Sequence, residues 1–157
     1  MSIAKNLKDV EGRVADAAAK AGRDSNGITL IAVSKTWPVS VIQEAADAGQ
    51  RVFGENKVQE VLKKVPEMAP ELKWHLIGHL QKNKTRKVLP LCAMIHSVDS
   101  LALAQQIDRI AGELELTPEI LLQVNVAADD AKFGLAASEV ENIVNEVSQL
   151  EQVKLRG

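Results

Sequence analysis

Short apolar runs alternate with helix-period segments along the whole chain, and no hairpin turn separates two of the runs. That alternation constrains the fold more than any other feature. The runs span Ile28 to Val33, Arg51 to Gly54, Lys73 to Gly78, Ala93 to Val98, Glu119 to Val126, and a last one starting at Val153. Each is short, branched and bounded by turn residues, which predicts strands. Ile3, Leu7, Val10 and Val14 recur at helical spacing ahead of the first run, with Gly22 as a stop. Helices are predicted over Pro38 to Ala48, around Val58 to Val65, over Gln81 to Val88, over Leu101 to Leu114 and over Ser138 to Val147. Ser138 is the expected N-cap of the last, with Glu141 three residues on completing a capping box. Strand and helix in turn mean right-handed βαβ units and a parallel sheet. Two architectures satisfy this: an open doubly wound sheet, or part of a (β/α)₈ barrel. The Gly-x-Gly-x-x-Gly fingerprint is absent after the first strand, which counts against a dinucleotide fold.

The first run, Ile28-Thr29-Leu30-Ile31-Ala32-Val33, carries no charge until Lys35. It reads as a central strand buried on both faces, stopped by Pro38, which suits a helix start. Lys35 then stands at the carboxyl end of that strand, the edge where α/β folds place their chemistry. An amine attacks an aldehyde only in its neutral form. An apolar strand mouth away from carboxylates favours that form by desolvation. Lys35 is therefore a candidate Schiff-base former, against the plainer reading of a strand-end lysine reaching water.

At 157 residues the chain predicts one domain, with 46% hydrophobic and 25% charged residues and a net charge of −2. That balance gives no global attraction to nucleic acid or anionic membrane. Cys92 stands alone, so an internal disulfide framework is excluded and a reducing compartment is expected. The charged first twenty residues lack a signal-peptide core, and no apolar run is long enough to span a bilayer. A cytoplasmic protein is expected.

The dense basic run Gln81-Lys82-Asn83-Lys84-Thr85-Arg86-Lys87 reads as a solvated helix face before it reads as a phosphate grip or an RNA surface. Few aromatic rings are present to stack bases. His75 and His79 straddle a strand end, which argues against a zinc pair. His75 is expected to point into a pocket and His96 into the core. Cys92 is expected to pack beside the fourth strand. Asp129, Asp130 and Lys132 lie in a polar loop whose spacing is wrong for calcium.

Six strand ends then read, in order, Ala32-Val33-Ser34-Lys35-Thr36, Phe53-Gly54-Glu55-Asn56, Trp74-His75-Leu76-Ile77-Gly78-His79, His96-Ser97-Val98-Asp99-Ser100, Gln123-Val124-Asn125 and Lys132-Phe133-Gly134. This series resembles the pyridoxal-phosphate homeostasis proteins, and the resemblance runs from the first helix to Gly157. It implies an α/β fold, a parallel (β/α) barrel of the alanine racemase N-terminal type. That barrel would be incomplete here, with about five to six of eight strands, in a single domain over residues 1–157. It implies non-catalytic binding of pyridoxal 5′-phosphate (PLP) through a Schiff base at Lys35, for intracellular PLP homeostasis. Asn56, His75, Gly78 and Lys132 match motif positions around the family's cofactor pocket, and PLP-dependent apo-enzymes are implied as recipients. Lys57 stands where a tyrosine is common. Family members continue past a position like Gly157, which implies a C-terminally truncated chain, an incomplete phosphate cup and self-association through open edges. A racemase-type PLP enzyme and a cofactor-independent Schiff-base aldolase are the alternatives. The first would need a second acid/base group, normally a tyrosine, and the sequence contains none. The second would need a lysine–acid relay, for which Lys132 is the available lysine.

Overall fold

The apolar stripes of the helices and the runs between them assemble into one parallel sheet covered by helices. The structure, a computed structural model, describes residues 2–129 and 131–157; Asp130 of the polar loop lies outside the described residues. Helix α1 (Ile3–Lys20) is capped by the Ser2 side chain, which accepts from the Lys5 N–H. Ile3, Leu7, Val14 and Ala18 form its inner stripe, while Val10 is exposed. It stops at Gly22, whose φ of +64° lets the Arg23 N–H reach back to the Ala18 carbonyl, closing a Schellman turn.

Six strands and five further helices follow: β1 (Ala32–Val33), α2 (Val39–Asp47), β2 (Val52–Glu55), α3 (Val58–Lys64), β3 (Lys73–Leu76), α4 (Thr85–Val88), β4 (Met94–Val98), α5 (Leu101–Glu113), β5 (Glu119–Leu122), α6 (Val140–Val147) and β6 (Lys154–Leu155). All pairings are parallel, and the spatial order is β1-β2-β3-β4-β5-β6. Each crossover leads to the next strand along and the order never reverses, so right-handed connections put every crossover helix on one face. A doubly wound sheet needs a reversal; a barrel wall does not.

The helix-facing residues carry the core. Phe53 and Trp74, adjacent in register, stack with ring centroids 5.3 Å apart. Leu76, Ile95 and Ile120 on the same face are fully buried, packed with Val61, Val88 and Ile107 from the helices. The opposite face carries the row Val33, Gly54, His75, Met94 and Glu119. Several of these side chains keep contact with solvent.

The first strand differs from its expectation. Only Ala32 and Val33 pair, β1 is an edge strand rather than a central one, and Val33 is 48% exposed. A strand with one neighbour and one packed face cannot be buried on both sides. Strand β5 ends at Leu122 rather than Val126, which is 83% exposed. Beyond it a single bridge joins Val124 to Leu135. The basic segment splits into a 3₁₀ turn at Lys82–Lys84 and the one-turn α4. Ser138 does not cap α6. A 3₁₀ turn, Ala137–Glu139, precedes the helix, and Glu139 reaches back to the Ala136 N–H. Among the described residues no helix is long and apolar enough to cross a membrane.

Candidate functional site

Lys35 occupies a turn built just past the edge of β1. The Trp37 N–H donates to the Ser34 carbonyl at 3.1 Å, which makes Lys35 and Thr36 the central pair of a four-residue turn. Thr36 has φ +71°. Turns with positive φ at the third residue normally hold Gly or Asn there, and a β-branched residue in that region costs about 1–3 kcal/mol. The Lys35 side chain is exposed and takes part in none of the ion pairs among the described residues. The burial expected to favour its neutral amine is therefore absent, because β1 is an edge, and the carboxylates of Glu55 and Glu60 bond the residues on either side of it.

Beneath the turn lies a buried cluster of charge. Lys64 on α3 donates to Glu55 at 2.8 Å, to Glu60 at 2.6 Å and to the Ser34 carbonyl at 2.9 Å. The Ser34 hydroxyl donates to Glu55 at 2.7 Å, and the Thr36 N–H donates to Glu60 at 2.9 Å. Burial opposes the charge on Lys64, but its bonds to Glu55 and Glu60 outweigh that and raise its pKa. The bond from Lys64, then that from the Thr36 N–H, hold the Glu60 carboxyl below its ordinary range. The second oxygen of Glu55 is buried without a partner. Glu60 and Lys64 are readable in sequence as an i, i+4 pair on a helix, but nothing local says that this pair turns inward.

Gly78, past the end of β3, packs on Asn56, past the end of β2. A Cβ at Gly78 would lie 2.1 Å from the Asn56 carbonyl oxygen and 2.4 Å from its side-chain oxygen, so only glycine fits. The Ser97 hydroxyl holds the Gly78 carbonyl at 2.7 Å. Asn56 lines a cleft of about 610 Å³ with Lys57, His79 and Lys84. His75 lies one row deeper on the face away from the helices, lining a separate cavity of about 380 Å³. Its Nδ1 is 2.9 Å from His96 Nε2. Burial, then the adjacent His96, push His75 down to about 4, and burial lowers His96 as well. His96 is thus half-buried on the inner face, not packed in the core as expected, because the β4 register turns it towards His75.

Lys132 sits elsewhere. It pairs with Asp129 at 3.3 Å and lines a third cleft with Asn125 and Phe133. Phe133, 59% exposed, stacks on His79 with centroids 3.9 Å apart, and His79 in turn pairs with Asp99 at 3.3 Å. This bracket ties the loop after β5 to the end of β3, and sequence spacing did not suggest it. Four of the five expected site residues, Lys35, Asn56, His75 and Gly78, therefore lie on β1 to β3 or just past their carboxyl ends, while Lys132 lies on the loop after β5. Asn56 and Gly78 touch; Lys132 shares no described contact with Lys35. Cys92 is buried as expected, its thiol pushed up to about 12 by burial. Among the described residues no group of three His, Cys, Asp or Glu could hold a metal.

Residues 6–157 match the alanine racemase N-terminal domain family. The chain is 43% identical to the pyridoxal phosphate homeostasis protein of Pseudomonas aeruginosa, over 99% of this chain and 68% of the relative. It is 40% identical to the protein of that name from Escherichia coli, with the same coverage. Among solved structures, PipY of Synechococcus elongatus with PLP bound superposes with a TM-score of 0.83 at 43% identity, covering 99% of this chain and 68% of PipY. An alanine racemase from Clostridium difficile shares the fold alone, at a TM-score of 0.70 and 18% identity over 83% of this chain and 35% of that one.

Proposed function

Because this chain belongs to the pyridoxal phosphate homeostasis proteins, we propose that it binds PLP through Lys35, as a carrier rather than a catalyst. The observation that carries the proposal is the Lys35 turn: an exposed amine without an ion-pair partner among the described residues, at the carboxyl edge of the sheet, on a backbone pinned from both sides. The donor set fits the cofactor. PLP supplies an aldehyde carbon, and condensation with the Lys35 amine forms a C=N bond and releases water. Asn56, seated by Gly78, lies two residues past the strand pairing on β2 just as Lys35 does on β1. His75 lies one row below on the inner face, kept neutral at physiological pH by its burial. Lys132 is the rim cation of the same proposal, on the loop that Phe133 anchors to His79.

Carriage without turnover follows from what the remaining residues can do with a proton. Moving the α-proton of an amino acid needs a positioned acid/base group, worth about 10²–10⁴ in rate. The chain has no tyrosine for that role, and the two inner-face histidines are bonded to each other. Delivery to PLP-dependent apo-enzymes completes the proposed role.

Borohydride reduction after PLP addition, followed by peptide mapping, tests the site. The label is expected on Lys35. A label on Lys132 or Lys84 with Lys35 unmodified overturns the assignment. In the same preparation, Lys35-dependent exchange of the alanine Cα proton clearly above that of free PLP would overturn the non-catalytic reading.

A further inference from the structure

We infer that Glu60 and Lys64 are positioning residues that clamp the strained turn presenting Lys35. The inference rests on the proposed role of Lys35 and adds the part that holds it. Beside the bonds of the Ser34 N–H and hydroxyl to the Gly54 carbonyl, three bonds tie the turn to the charge cluster, and among the described residues none goes to Lys35. Thr36 N–H donates to Glu60 and Ser34 Oγ donates to Glu55, at 2.9 and 2.7 Å, while Lys64 Nζ donates to the Ser34 carbonyl at 2.9 Å. The two residues flanking Lys35 are fixed, and its amine is left free.

The chemistry of Lys64 supports a clamp over a simple strut. An ammonium has three donors, and all three are used, on Glu55, Glu60 and the Ser34 carbonyl. Its side chain is 8% exposed and that of Glu55 is 0% exposed. Buried ion clusters are often replaceable by apolar packing without loss of stability, so bulk stability does not account for this one. What it does that apolar side chains cannot is bond a backbone N–H and a backbone carbonyl on either side of one residue. Thr36 stands at φ +71°, where its side chain is disfavoured. Without Glu60 the Thr36 N–H loses its acceptor and the threonine has no reason to stay in that region. Lys35 then loses the fixed backbone that presents it.

Glu60→Ala is the probe, because Glu60 is the more exposed end of the cluster and its loss leaves the Lys64–Glu55 pair intact. Amide exchange of Trp37, which closes the turn, reads the clamp without any cofactor. It is expected to quicken about tenfold, the equilibrium value of one net hydrogen bond, while core amides such as Ile95 stay protected. Thr36→Gly added to Glu60→Ala should restore Trp37 protection, since glycine holds positive φ unaided. Glu60→Gln, which keeps an acceptor oxygen, should stay near the parent. The borohydride-trapped yield on Lys35 should follow the same order across the three variants. Unchanged Trp37 exchange in Glu60→Ala, or no restoration by Thr36→Gly in a folded protein, overturns the clamp. Loss of protection in Glu60→Gln equal to that in Glu60→Ala does so too. Should the parent protein carry its PLP label elsewhere, the proposed function falls, and the exchange measurement still decides the clamp.

Discussion

At the scale of single residues, the inner face turns on His75. Its ring is buried and bonded to His96, and its pKa is lowered to about 4 from an ordinary 6.5. The unfolded chain therefore takes up a proton first as pH falls. A group depressed in the folded state gives stability that is complete above about 6.5 and lost as pH drops towards 4. The loss is on the order of 3–4 kcal/mol for the whole shift, shared with His96 because the rings are in contact. Urea midpoints measured across pH 4 to 7 should rise with pH in the parent and flatten in His75→Gln. A slope unchanged by the substitution would assign the pH dependence to other groups. Gly78 shows a different constraint at the same scale, since any side chain there would strike the Asn56 backbone.

Elements are set by their ends as much as by their stripes. Helix α5 begins at Ser100, whose hydroxyl accepts from the Leu103 N–H at 3.3 Å. Helix α6 has no such cap; a 3₁₀ turn and Glu139 take the place expected for Ser138. Ser100→Ala should therefore cost about 1 kcal/mol, as cap removals do, whereas Ser138→Ala should stay within about 0.5 kcal/mol. Chemical denaturation of the two variants side by side separates the cases, and equal losses would restore Ser138 as a cap. The sequence pattern found both helices. It misplaced the start of α6 because Ser138-x-x-Glu141 satisfies the capping-box spacing while the chain enters the helix through a tighter turn.

For the whole molecule, the sheet runs from β1 to β6 with an edge at each end. The unpaired N–H and C=O groups of such edges seek partners, and apolar side chains such as Val33 remain half in water on the inner face. Each large apolar side chain left wet forgoes about 1.5–3 kcal/mol, against a total domain stability of about 5–15 kcal/mol. The 157-residue chain prepared alone is expected to self-associate, with a sedimentation coefficient that rises with concentration and with binding of an apolar dye. A dye-silent monomer at all concentrations would show that the exposed face is tolerated.

The alternation of short branched runs with helix-period segments was enough, by itself, to determine a parallel α/β sheet, because no other arrangement buries both periodicities without hairpins. The motif series also placed Lys35, Asn56 and Gly78 at strand ends, since strand ends are where apolar runs stop. Other features depended on contacts between residues far apart in the chain. That β1 is an edge strand follows from which strands pair, and it leaves Lys35 exposed rather than desolvated. That Lys64 turns inward follows from Ser34 and Glu55 meeting it across β1 and β2, 30 and 9 residues away in sequence. That His75 meets His96, and Phe133 meets His79, follows from register between neighbouring strands and the fold of the loop after β5. A linear pattern encodes which face a side chain can take; only the assembled sheet decides what stands opposite it.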